Sequence, residues 1–192
     1  MNFRPLRGFS LIELMIAITI LSLLTMLAMP SFSRWIANTQ VRTMAESVQN
    51  GLRLAQREAA ARNGSVTFRF TGVQFTTATP AACNLTLATS GTNWVVCPGN
   101  AASTAKPIQQ SNGKSGSAGA RVSSGFSSIT FDGLGRTDKV APQTISVTSA
   151  SGACESDTPP GVFRCLNVLI SPGGKVRLCD PSLDSGNPSA CS

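Results

Sequence analysis

An apolar stretch with one acid inside it limits what this chain can fold into more than any other feature. It runs from Phe9 through Leu11-Ile12-Glu13-Leu14 to Met29, and Glu13 is the one charged residue between Leu11 and Met29. At a helical rise of about 1.5 Å per residue, Phe9 to Met29 reaches roughly 30 Å, the thickness of one hydrocarbon core. A lone carboxylate in that setting costs about 2.5–3.5 kcal/mol or more, so Glu13 is a functional-site candidate. A short basic leader carrying Arg4 and Arg7 ends at Gly8. A cleavable secretory signal would want a shorter apolar core and a small-residue cleavage site, which Ala28-Met29-Pro30 matches weakly. Neither that reading nor a plain signal anchor needs Glu13.

Helical periodicity continues past Pro30. Apolar residues recur at Ile36, Val41, Met44, Ala45, Val48, Leu52, Ala55 and Ala59, with Arg42, Glu46, Gln49, Arg53, Gln56 and Arg57 opposite them. Asn63-Gly64 is a stop signal. The spacing predicts one helix over 9–62, kinked or loosened at Pro30, where a backbone donor is missing.

Beyond Gly64 the period changes to two. Ser65–Phe70 alternates as a strand, and Val73–Thr77 reads as its hairpin partner across Thr71-Gly72. Asn93–Cys97, Ser128–Phe131 and Gln143–Thr148 follow, then Arg164–Ile170 and Lys175–Cys179 joined by the turn Ser171-Pro172-Gly173-Gly174. Residues 98–119, rich in Ala, Ser, Gly and Asn, read as a mobile loop. The expected fold class is α+β: a long N-terminal helix packed on an antiparallel sheet.

Six cysteines, Cys83, Cys97, Cys154, Cys165, Cys179 and Cys191, all lie beyond the apolar stretch. There is no histidine and no C-x-x-C pair, so a zinc site is not expected. Disulfides in an oxidising compartment fit better. Six cysteines allow fifteen connectivities; nearest-neighbour pairing, Cys83–Cys97, Cys154–Cys165 and Cys179–Cys191, closes three short local loops and is the one expected. The acids Glu155, Asp157, Asp180 and Asp184 fit no calcium-loop spacing. With no histidine, nucleophile elbow or phosphate loop, the chain is expected to be no enzyme and to need no cofactor or metal. The formal charge is +7, two of it in the leader, which suits anionic partners.

Gly8-Phe9-Ser10-Leu11-Ile12-Glu13-Leu14 after a basic leader resembles the processing site of type IV prepilins and type II secretion pseudopilins. The resemblance implies cleavage after Gly8 by a prepilin peptidase, methylation of Phe9, and pairing of Glu13 with a neighbouring subunit's N-terminal amine during assembly. It also implies an inner-membrane, single-pass subunit with its head in the periplasm, later part of a pilus or pseudopilus. The expected division is a leader 1–8, a membrane half-helix 9–30, an amphipathic half 31–63 and a β-rich head 64–192, the type IV pilin fold. Phe131–Arg136 and Leu169–Pro181 are similar to the FimT, FimU and GspH group of minor pilins. That group implies three roles: priming at a pilus tip, the same in a secretion pseudopilus, or binding double-stranded DNA in natural transformation. In the last, a Gly-Arg-x-Arg patch carries the contact. Its counterpart here is Gly174-Lys175-Val176-Arg177, where lysine keeps the charge and loses the planar fork. Lys175 and Arg177, two apart on a strand, share one face.

Overall fold

The computed structural model describes residues 10–76, 82–99 and 105–191. The chain divides into two compact units, 1–36 and 37–192. Helix α1, Leu11–Arg62, runs through both. It closes as Asn63-Gly64 predicts: Asn63 adopts a left-handed φ of 46° and the Gly64 N–H returns to the Ala59 carbonyl at 3.1 Å. Its axis bends between Met26 and Ser31, around Pro30.

In the second unit α1 lays Ala37, Val41, Met44, Ala45, Val48, Leu52, Ala55 and Ala59 into the core, all buried. The stripe therefore starts at Ala37; Ile36, expected to be its first member, is partly exposed. The stripe meets two antiparallel sheets, not the single one expected. The first has the order β3-β2-β1-β5, from Gln109–Ser111, Asn93–Pro98, Val66–Thr71 and Ser128–Phe131. The second has the order β4-β6-β7-β8, from Ala120–Ser124, Gln143–Ser149, Leu166–Ile170 and Val176–Cys179. Ser90, in the segment leading into β2, bridges Ser123 of β4 in the second sheet. One cluster holds helix and both sheets: Phe68, Phe70, Trp94, Ile129 and Phe131 from the first, Val122, Ile145, Val147, Val168 and Ile170 from the second.

Two readings need correction. Val73–Thr76 is not a strand, and Thr77 lies outside the described residues; β1 pairs with β2 and β5 instead, Phe68 opposite Val96 and Ile129. The would-be partner is held by side chains. Asn112 accepts the Phe75 N–H at 2.9 Å and donates to the Phe75 carbonyl at 2.8 Å, and Asn93 donates to the Val73 carbonyl. An amide side chain thus supplies both bonds a ladder would have supplied. Nor is 98–119 wholly loop: it contains β3, which pairs with β2, and a short helix α2, Lys114–Ser117. Sequence reading also passed over β4, whose Ala120 and Val122 are buried while Arg121 and Ser123 face out.

The three disulfides join Cys83–Cys97, Cys154–Cys165 and Cys179–Cys191. The first staples Phe75, Cys83 and Leu85 over the outer face of β2, where Val95 and Cys97 lie, and gives that sheet a second small core. Arg69 of β1, opposite Val95, is buried and donates to the Cys83 carbonyl.

Candidate assembly and nucleic-acid surfaces

Glu13 sits in the first turn of α1, where a carboxylate faces the positive end of the helix dipole. Gly8 and Phe9 lie outside the described residues. In the apolar run, the hydroxyls of Thr19, Ser22 and Thr25 donate back to the carbonyls of Ile16, Ile18 and Ser22 at 2.7–2.9 Å. Each of these three hydroxyls is thereby satisfied within the helix. Among the described residues no single helix is long and apolar enough to cross a membrane. Leu11–Met26 and Ser31–Arg62, taken together across the bend, qualify by length and composition.

The second surface is the β7–β8 hairpin. Ser171 and Lys175 close it with a backbone bond of 3.0 Å, and the Lys175 N–H also donates to the Ser171 hydroxyl. Gly174, at a φ of 86°, is buried against the Gly135 carbonyl. That carbonyl also accepts from Gln56 at 3.0 Å, so the 132–136 turn, the hairpin tip and the helix meet there. Lys175 is exposed and Arg177 half-buried.

The helix brings further cations to this place. The Arg53 guanidinium donates to the Val176 carbonyl at 3.4 Å, between Lys175 and Arg177. Gln49, with its amide oriented to accept, takes the Leu178 N–H at 3.1 Å, so β8 is edged by α1. Arg57 is exposed one turn after Arg53. Arg136, in the adjoining turn, pairs with Asp132 at 2.9 Å. Asp132 is held below the usual carboxylate range, chiefly by the Arg136 N–H, against a desolvation cost and with help from that guanidinium.

Sequence reading found Gly174, Lys175 and Arg177 and missed Arg53, which reaches Val176 between them. A signal was there. Arg42 pairs with Glu46, and Arg62 with Glu58, each four residues apart at 2.8 Å. Arg53 and Arg57 have the same spacing but the same sign, a repulsive pair, and neither is in an ion pair among the described residues. Arg121 lies on β4 and Arg164 is bound to Asp180 at 2.6 Å; neither joins the hairpin-tip cluster among the described residues.

The family model described as "Type II transport protein GspH" matches residues 44–183, and that for the prokaryotic N-terminal methylation motif matches residues 4–29. Among solved structures, the type IV minor pilin FimU of Pseudomonas aeruginosa matches in two crystal forms. The TM-scores are 0.55 and 0.52 at 15% identity, over 79% of this chain and 95% and 99% of those chains. The minor pseudopilin EpsH of the Vibrio cholerae Type 2 Secretion System gives a TM-score of 0.48 at 14% identity, over 75% of this chain and 99% of its own. At such identities the likeness to FimU is one of fold. Comparison with curated protein sequences gave no match.

Proposed function

The chain belongs to the GspH family of minor pilins and pseudopilins, and from that premise we propose that it is a prepilin whose head binds double-stranded DNA once assembled in a pilus. In this reading a prepilin peptidase cuts after Gly8 and Phe9 is methylated. Residues 9–30 anchor the subunit in the inner membrane, 31–63 carry the amphipathic half-helix, and 64–192 form the head in the periplasm, where the disulfides form. Glu13 pairs with the amine of a neighbouring pilin, because two opposite charges in oil cost far less together than apart.

The observation that carries the DNA reading is the convergence of Arg53 on Val176, between Lys175 and Arg177, with Arg57 one turn on. Several cations brought close together favour an anion. Such a cluster tracks phosphates and reads no bases. The test is a gel shift of the full chain in detergent micelles over a range of salt. Lys175→Ala with Arg177→Ala removes most of the affinity and flattens the salt slope by about two, one for each phosphate that is no longer neutralised. Unchanged affinity in that double variant retires the DNA reading.

A second reading, a pseudopilin of a type II secretion system, is favoured by the family description itself. Deletion of the gene decides: loss of secreted enzymes with normal pili supports it, and loss of pili or of DNA uptake supports the first.

A further inference from the structure

The uncharged part of the helix is longer than the run ending at Met29. From Leu14 through Ser33 no residue is charged, and Arg34 is the first charge after Glu13. Followed along the axis, which bends between Met26 and Ser31, those twenty residues rise about 30 Å, again about one hydrocarbon core. At their far end Phe32 and Trp35 stack with ring centroids 5.8 Å apart and planes at 27°. Both are exposed, at 61% and 62%, and burial begins only with Ala37. Stacked aromatic rings beside an arginine, exposed at the end of an apolar span, fit the layer where acyl chains meet headgroups. There the rings lie in the apolar edge and a guanidinium meets lipid phosphate.

We propose that Phe32, Arg34 and Trp35 form a belt that binds the phospholipid headgroup layer and fixes the depth of the anchor, which centres the span near Leu23-Leu24 and sets Glu13 at the opposite bilayer boundary. This rests on the membrane reading above and changes its register. A span over 9–30 has its centre near Thr19 and leaves Glu13 inside the hydrocarbon. With the belt at the boundary, Glu13 is one span away from Arg34, where headgroups and water reach it. The acid is then tolerated in the lone subunit, and its desolvation comes with assembly.

The test is depth-dependent fluorescence quenching of the full chain in phosphatidylcholine–phosphatidylglycerol vesicles, with spin labels near the headgroup end of the acyl chain or near the midplane. Trp35 and Trp94 are the two tryptophans, and Trp94 is buried in the head, so the Trp35→Phe variant gives the background. Trp35 should be quenched about twofold more by the shallow label. In the Trp35→Phe background, Leu24→Trp should be quenched most by the deep label and Leu14→Trp by the shallow one. Phe32→Ala with Trp35→Ala should shift the depth of the Leu24→Trp probe. Deepest quenching in Thr19→Trp with no acyl-label quenching of Trp35, or an unmoved Leu24→Trp probe in the ring-less variant, overturns the belt and leaves the anchor intact. Absence of lipid quenching at every position overturns the anchor itself, and the belt with it.

Discussion

Gly174 occupies a place in which a side chain would be strained twice. Its φ of 86° is left-handed, and an added Cβ would overlap the Gly135 carbonyl oxygen. Gly174→Ala should cost about 1–3 kcal/mol from backbone conformation alone, more with the overlap, and lower the melting temperature of the head. Gly51 is the opposite case, a glycine inside a helix. Alanine there gains about 1 kcal/mol in propensity, yet its Cβ would lie 2.8 Å from Phe68 and 2.9 Å from Trp94, both buried rings. Overpacking of that kind costs about 1–3 kcal/mol, so Gly51→Ala should destabilise, and a raised melting point would contradict that packing. Asp180 ties down the tail. Burial pushes its pKa up, but the Ser182 N–H and hydroxyl and the Arg164 guanidinium outweigh this and hold it below the usual value. A carboxyl with a lowered folded pKa stabilises above its unfolded pKa, and that contribution is lost as pH falls through the folded one. The protection factor of the Asp180 N–H, bonded to the Ser189 carbonyl at 2.8 Å, taken against the intrinsic exchange rate at each pH, should therefore fall in acid. Asp180→Asn should show the low protection already at neutral pH, with no further loss through the range where the carboxyl titrates.

At the scale of elements, what could be read in advance was whatever is local and periodic. The helix stripe from Val41 to Ala59, the Asn63-Gly64 stop, the Ser171–Gly174 turn and the short-loop cysteine pairs each follow from neighbours in the chain. What could not be read depends on distant partners. Val73–Thr76 alternates like a strand, but Asn112, far along the chain, takes its backbone groups. The split into two sheets follows from strand order, which no local pattern encodes. Arg53 reaches Val176 only because the helix packs along β8. The disulfides span 14, 11 and 12 residues. A loop of that size stabilises by about 3 kcal/mol in the chain-entropy account, so replacing Cys179 and Cys191 together with serine should lower stability by up to that amount. Hydrogen exchange should then rise in the tail first, ahead of β7 and β6.

For the whole molecule, one helix changes character along its length. From Leu14 to Ser33 it carries no charge; from Ala37 it buries a stripe under two sheets. In the proposed reading Glu13 is a determinant of assembly, not of folding. Glu13→Leu should insert in the membrane with an unchanged head yet fail to enter filaments, scored by its yield in sheared pili; normal incorporation would show that the charge is not needed for docking. All of this presupposes that the apolar helix is kept after processing. The most direct measurement is the intact mass and N-terminal sequence of the chain recovered from membranes. The account predicts a polypeptide that begins at N-methylated Phe9 and retains the helix. A chain that begins after Ala28, or one that still carries Met1 when the peptidase is present, would contradict it.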